Sequence, residues 1–474
     1  MKKIIASVLY SVSAAVVLNA ADVPSPNTDL TPVEQQIVAA AKLNSSFKFV
    51  HAGKLAQTPP MGWNSYDAFG DSVTEEETLA NAAWMQSKLL QFGWDTVVVD
   101  FRWYDPMPTG DDRLLNTTRM GAALTADEFS RLMPAPNRFP SATNGTGFKP
   151  LADRLHSMGL KFGIHVMRGI PRQAVLANTK MLGGQFSADD AGDRNDKCTW
   201  CPDMFGVRNN AAGQAWYDSC AQLWASWGVD YIKVDDLSEP YHAGEIEMLR
   251  HALDKFGRTI IFSTSPGPTT TSRAGHIAAN ANLWRISGDF WDRWSKINEQ
   301  FDLLAQWSGA GGPGHWPDAD MIPLGYIAIR SKLGGNPHWT HFTRNEQLTL
   351  MSLWAMAPSP LMLGMNLPDN DEWTTALLTN PEVLAVNQDE LGKPAHRVFG
   401  SNLEVWEKEL SGGALAVGFF NRTGQPQTLD YDWHQAGHSA HPQVRDLWRR
   451  KNLPKSDKFT TEIPPHGCVL LQVK

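Results

Sequence analysis

From residue 58 to residue 364 short apolar runs alternate with longer stretches of helical period, and each run stops on polar side chains. Near-continuous apolar runs mark parallel strands buried on both faces, and strands alternating with helices predict a parallel sheet with helical crossovers. Eight such runs follow in order. The first three are Met61-Gly-Trp-Asn-Ser-Tyr66-Asp67, Thr96-Val-Val-Val-Asp100 and Lys161-Phe-Gly-Ile-His165-Val-Met-Arg168. The fourth, Tyr231-Ile-Lys233-Val-Asp235-Asp236-Leu237, ends in two acids. Then come 259–265, 283–289, 315–321 and 357–364. Eight units over roughly 310 residues predict an α/β chain built as a (β/α)8 barrel. Beyond about residue 389 the pattern changes to short strands parted by Gly, Asn and Pro turns, which predicts a small antiparallel β domain.

The two ends complete the division. Met1-Lys2-Lys3, the apolar stretch 4–18 and Ala20-Ala21 predict a signal peptide over 1–21, and hence a secreted or periplasmic protein. No later segment reaches membrane-spanning length. Residues 22–56 are polar with one helical patch and are expected to form a leader or strap. The barrel is assigned to 57–389 and the β domain to 390–474.

Barrel chemistry sits at the carboxyl ends of the strands, where every one of the polar clusters falls. Tyr66, Asp100, His165, Lys233, Asp235, Ser265, Arg285, Asp289 and Asp320 are therefore expected around one pocket. Residues two apart in a strand share a face, so Lys233 and Asp235 point the same way. Asp236 and Asp318 are expected to turn away or to the rim.

Composition narrows the chemistry. The 474 residues carry a net charge of −8 without a basic cluster, which argues against a nucleic-acid partner. Nineteen tryptophans, many beside acids and glycines, suit either a core or a cleft for sugar rings. Of the four cysteines, Cys198 and Cys201 sit in a C-x-x-C pattern with no second Cys/His pair at ligand spacing. A local disulfide is the expectation for an exported chain, and no metal or cofactor is expected. Asn44, Asn116, Asn144 and Asn421 lie in glycosylation sequons, relevant only in a host that uses them.

A pocket with several carboxylates, a lysine, an arginine and aromatics fits glycoside hydrolysis, which places a pair of carboxyl groups across the scissile bond. Lys233 beside Asp235 is expected to hold that carboxylate charged as a nucleophile. Asp289, in Ser-Gly-Asp-Phe-Trp, is the candidate acid, because apolar burial raises a carboxyl pKa.

The segments Thr58-Pro-Pro-Met-Gly-Trp-Asn-Ser-Tyr66, Val99-Asp100, Lys233-Val-Asp235, Trp284-Arg285 to Asp289 and Trp316-Pro-Asp-Ala-Asp320-Met resemble, in the same order, the landmarks of glycoside hydrolase family 27. The likeness runs from about residue 57 to the end. It implies a retaining double displacement with Asp235 as nucleophile and Asp289 as acid/base, and an exo-acting hydrolase of terminal α-D-galactosyl residues. It also implies that Tyr66, Asp100, Lys233, Arg285 and Asp320 surround the sugar. Three departures bear on the substrate. Phe101 stands where α-galactosidases usually carry a second acid, Ser265 stands in the fifth-strand segment that typically reads Cys-Glu-Trp, and Asp236-Leu237 follow the nucleophile motif. An α-N-acetylgalactosaminide, a β-L-arabinopyranoside or another sugar therefore remains an alternative, as does a barrel that binds carbohydrate without turnover. His165 and Arg168 are candidate replacement contacts.

Overall fold

The computed structural model describes residues 25–44, 55–111, 123–265, 267–439 and 441–474. The expected signal peptide, the sequon at Asn116 and Pro266 lie outside the described residues.

All eight expected barrel strands are present: β1 Met61–Asn64, β2 Thr96–Val99, β3 Lys161–Met167, β4 Tyr231–Asp235, β5 Ile261–Thr264, β6 Leu283–Arg285, β7 Trp316–Asp318 and β8 Leu361–Leu363. They pair in parallel in the order β7-β6-β5-β4-β3-β2-β1-β8. The segment just past β7 closes the ring onto β8. Ile322 forms a parallel bridge with Leu363, its N–H donating to the Met362 carbonyl at 2.8 Å and its carbonyl accepting from Gly364 N–H at 3.1 Å. Closure leaves no open sheet edge inside the barrel.

The crossover helices carry their own start and stop signals. The helix Glu75–Lys88 begins with a capping box between Thr74 and Glu77. The helix before β4, Ala211–Trp227, is capped by the Asn210 side chain and ends at Gly228 in the left-handed conformation (φ 85°). The chain then reverses into β4, whose register sets His165 beside Lys233 and Met167 beside Asp235. That register fixes which side chains reach the carboxyl end together.

Between β3 and Ala211–Trp227 lies a three-stranded antiparallel sheet of Ile170–Pro171, Gly192–Lys197 and Met204–Val207. Its loop 198–201 bends over the barrel mouth. Cys198 and Cys201 are free thiols, as are Cys220 and Cys468, so the expected local disulfide is absent. The loop is held instead by the Cys201 N–H donating to the Cys198 sulfur at 3.3 Å.

The C-terminal region is a β sandwich. A six-stranded antiparallel sheet faces the pair Gln427–Asp432 and Lys458–Ile463, around a core that includes Val405, Phe419, Tyr431 and Trp433. Its junction with the barrel is partly polar. Lys408 is fully buried and donates to the carbonyls of Ala355 and Val386, while Trp448 donates to Ser352 at 2.9 Å. Of the expected strap, Pro32–Ala41 is a helix with a Thr31/Glu34 capping box, clamped by Arg344 on Glu34 and by Arg450 on the Ala40 carbonyl. Among the described residues no helix is long and apolar enough to cross a membrane.

Candidate active site

The carboxyl ends of the strands open into a cavity of about 610 Å³. Eight of the nine candidate residues line it: Tyr66, Asp100, Lys233, Asp235, Ser265, Arg285, Asp289 and Asp320. His165 does not. It lies beneath the floor, 1% exposed, with Nε2 3.0 Å from Asp235 Oδ2. Arg168, the other candidate replacement contact, also faces away from the cavity. Its guanidinium binds Asp196, Asp236 and Glu245.

Asp235 is held at both oxygens. His165 faces Oδ2, and the Asp236 N–H donates to Oδ1 at 2.5 Å. Lys233, expected to steady Asp235, pairs instead with Asp100 at 3.0 Å and sits over the Tyr66 ring. Burial pushes the Asp235 carboxyl above its ordinary value, and the opposing pull of His165 and Lys233 does not cancel that. Lys233 does pull the carboxyl down, as expected, but burial outweighs that pull. Asp100 shows the reverse balance. Burial acts upward on it too, but Lys233, His165, the Asn64 amide and the Phe101 N–H together bring it down to about 2.

Across the cavity Arg285 lies among three acids, Asp289, Asp318 and Asp320. It meets Asp320 at 2.7 Å and Asp289 at 3.5 Å, bonds the Gly288 carbonyl and reaches Ser265 Oγ at 3.2 Å. Asp320 holds a left-handed backbone (φ 83°), unusual for a residue with a side chain. That bend lets Oδ2 accept from both Arg285 and the Phe290 N–H at 2.8 Å. Burial, with Asp289 and Asp318 nearby, raises its carboxyl to about 6 against the pull of Arg285. Asp318 faces its backbone, accepting from the Asp320 N–H at 2.9 Å. Asp289 is not buried among aromatics as expected. Its side chain is 47% exposed, because Phe290 turns inward onto Trp354 and Phe342 and leaves the acid at the rim.

Phe101 forms part of the cavity wall. Its ring meets His165 edge-on at 5.4 Å and Trp200 at 5.5 Å, in an apolar cluster with Met167, Cys198, Cys201 and Met204. Asp236, expected to turn away or to the rim, reaches the lining while paired to Arg168. Sequence reasoning missed Asp67, Trp200, Glu239 and Trp291, which also line the cavity. Asp67 had a signal, since it follows Tyr66 in the first motif. It is buried, its Oδ2 lacks a hydrogen-bond partner among the described residues, and it abuts Gly364 so closely that a Cβ there would lie 1.9 Å from that oxygen. Burial and the neighbouring acids push its carboxyl well up.

Comparison with known proteins places this geometry. Residues 210–389 match the family model for alpha galactosidase A, and residues 400–473 that for the alpha galactosidase C-terminal beta sandwich domain. The α-galactosidase of Coffea arabica is 32% identical over 408 residues, covering 84% of this chain and 88% of its own. The chain belongs to the α-galactosidase family, glycoside hydrolase family 27. It is therefore a glycoside hydrolase. Among solved family structures, a GH27 β-L-arabinopyranosidase from Geobacillus stearothermophilus is 47% identical, with a TM-score of 0.85 over 88% of this chain and 97% of that one. A variant of that enzyme is described in complex with arabinose at 46% identity.

Proposed function

We propose that this family 27 enzyme is a retaining exo-glycosidase whose preferred glycon is β-L-arabinopyranose, a ring configured like galactose but without the hydroxymethyl group. This takes up one of the alternatives that the sequence left open, in place of the α-D-galactosyl specificity expected first. Asp235 attacks the anomeric carbon while Asp289 passes its proton to the glycosidic oxygen, and the aglycone leaves. Asp289 then removes a proton from a water that attacks the same carbon, releasing the sugar with its configuration retained. His165 and the Asp236 N–H fix the carboxylate, and each of its oxygens keeps a further lone pair. Asp100, Lys233, Arg285 and Asp320 supply charged hydrogen-bond partners for the ring hydroxyls. The exposed position of Asp289 suits a group that gives a proton to a departing aglycone and recovers it from water.

The observation that carries the sugar preference is the Phe101 wall. A buried ring at that point offers nothing to a hydroxyl and takes up room. A sugar with no exocyclic arm loses nothing there, whereas one that brings a hydroxyl leaves it unpaired, at a cost of about 1–3 kcal/mol. The 47% identity to a β-L-arabinopyranosidase supports the same reading.

The test is hydrolysis of p-nitrophenyl β-L-arabinopyranoside, α-D-galactopyranoside and α-N-acetylgalactosaminide by wild type and Phe101→Asp. We expect kcat/KM to favour the arabinopyranoside, and the aspartate to raise the galactoside-to-arabinoside ratio by about 10–100-fold. A wild type that prefers the galactoside would overturn the sugar assignment while leaving the mechanism intact.

A further inference from the structure

A second group of chemistry-bearing side chains lies just outside the cavity, on two segments that help to line it. Asp292 follows Trp291 by one residue, and His338 and His341 come from the stretch beyond Leu333. His338 Nε2 and His341 Nδ1 both lie 2.9 Å from the same oxygen, Asp292 Oδ2. The two imidazoles are stacked, with centroids 4.0 Å apart. All three candidate ligand atoms fall within 4.8 Å of one another.

The bond on the far side of His338 decides what this group is for. His338 Nδ1 lies 2.6 Å from the Asn336 carbonyl. A carbonyl only accepts, so Nδ1 carries the hydrogen. In the neutral ring Nε2 is then a bare lone pair aimed at a carboxylate oxygen. Two acceptors at 2.9 Å need a cation between them, either a second proton or a metal ion. A ligating histidine commonly donates its other N–H to a backbone carbonyl in this way. His338 is also rigidly placed, since its strand pairs with Tyr326–Ile327 in register Ile327 to His338. Asp292 is oriented by the His341 N–H at 2.7 Å.

We propose that Asp292, His338 and His341 form a binding site for a divalent transition ion of the zinc type. Two imidazoles and one carboxylate are a donor set that favours zinc, nickel or copper over magnesium or calcium. With metal–ligand bonds of about 2.0–2.2 Å in tetrahedral geometry, the ligand atoms stand about 3.3 Å apart. The two histidine–carboxylate distances of 2.9 Å need to open by only a few tenths of an ångström. His341, 65% exposed at its side chain, leaves the outer face open for water as the remaining ligand. An ion here would tie the segment after Asp289 to the hairpin beyond Leu333, and so brace the cavity mouth.

The other His-containing acid group marks the contrast. Asp196, His242 and Glu245 also lie within reach of one another. There the Arg168 guanidinium already fills the centre, 2.7 Å from Asp196 and from Glu245. One group has an arginine at its centre, whereas among the described residues no arginine or lysine pairs with Asp292.

The test is zinc titration of the full-length protein after dialysis against EDTA, followed by calorimetry and by melting temperature. Expected are one zinc ion per chain and a rise in melting temperature with zinc. His341→Ala, at an exposed position where folding is not at risk, should weaken binding at least tenfold and abolish the rise. His338→Gln should do the same, with circular dichroism confirming the fold. Cobalt in place of zinc should give the visible absorption of a low-coordinate site in wild type only. Absence of saturable binding up to millimolar zinc would overturn the proposal. So would binding unchanged in both variants, which would place the ion elsewhere, for instance on Cys198 and Cys201.

Discussion

The two halves of the cavity balance charge in opposite ways. On the β2–β4 side Asp100 is matched by Lys233 and by two hydrogen-bond donors, and it is charged at all but very acid pH. On the β6–β7 side Arg285 faces Asp289, Asp318 and Asp320, and Asp320 takes a proton at about 6. Asp318 and Asp320 are buried, with Asp289 beside them at the rim, and burial works against keeping both of them ionised. The first half is a fixed charged anchor, the second a region that stores a proton. The same division separates the proposed nucleophile from the proposed acid/base. Asp235 ends a strand with both oxygens held, whereas Asp289 stands on a loop with nearly half its side chain in water.

If Asp235 is the nucleophile, the largest effect comes from removing its charge with the least change of shape. Asp235→Asn should lower kcat by on the order of 10⁴-fold or more with every glycoside, measured by steady-state kinetics on the p-nitrophenyl panel. Residual turnover within tenfold of wild type would erase the proposed difference between the halves. Asp289→Ala should cost about 10²–10⁴-fold with a natural sugar aglycone, and far less with an activated aryl group, because nitrophenolate leaves without a proton. Equal losses on both substrates would remove Asp289 from the acid/base role. His165→Ala tests the fixing of Asp235 from below. Loss of a hydrogen bond to a charged group is worth about 1.5–3 kcal/mol, so kcat should fall by about 10–100-fold while KM for the arabinopyranoside hardly moves. A change confined to KM would mean that His165 touches the sugar after all.

The contrast also sorts what the sequence reveals from what it hides. Buried parallel strands are apolar throughout and end on polar residues, so all eight strands could be located, and with them Asp100, Lys233, Asp235 and Arg285 at their ends. Alternation gives the face of a side chain but not its depth. His165 shares the inward face with Lys233 in register, yet it sits under the Phe101 ring and never meets the cavity. Asp289 misleads for a related reason. Its sequence neighbours Phe290 and Trp291 are apolar, but their inward turn is what expels the acid. The sheet inserted after β3 was illegible because Gly192–Lys197 reads Gly-Asp-Arg-Asn-Asp-Lys, a composition that local propensity assigns to a loop. Asp67 lies in a one-turn helix directly after β1, where no strand rule applies.

The finest test of the difference between the halves is the pH dependence of folding stability. Asp320 takes its proton at about 6 in the folded protein and at about 3.9 in an unfolded chain. Between those values the native state holds the extra proton, so this group makes the fold more stable as pH falls from about 6 to about 4. Two pH units correspond to at most about 3 kcal/mol. His242 works in the opposite sense over the same range, since burial and Arg168 depress it to about 4 and the unfolded chain then binds the proton better. The measurement is therefore the difference between wild type and Asp320→Asn, taken from urea midpoints at pH 4.5, 5, 6 and 7. Wild type should gain on the variant as the solution is acidified. Asp100, already ionised well below this window, contributes no slope, and Asp100→Asn should run parallel to wild type from pH 7 to about 5. A variant pair with the slopes exchanged would mean that the strained proton resides on the Lys233 side, and the assignment of anchor and proton store would have to be reversed.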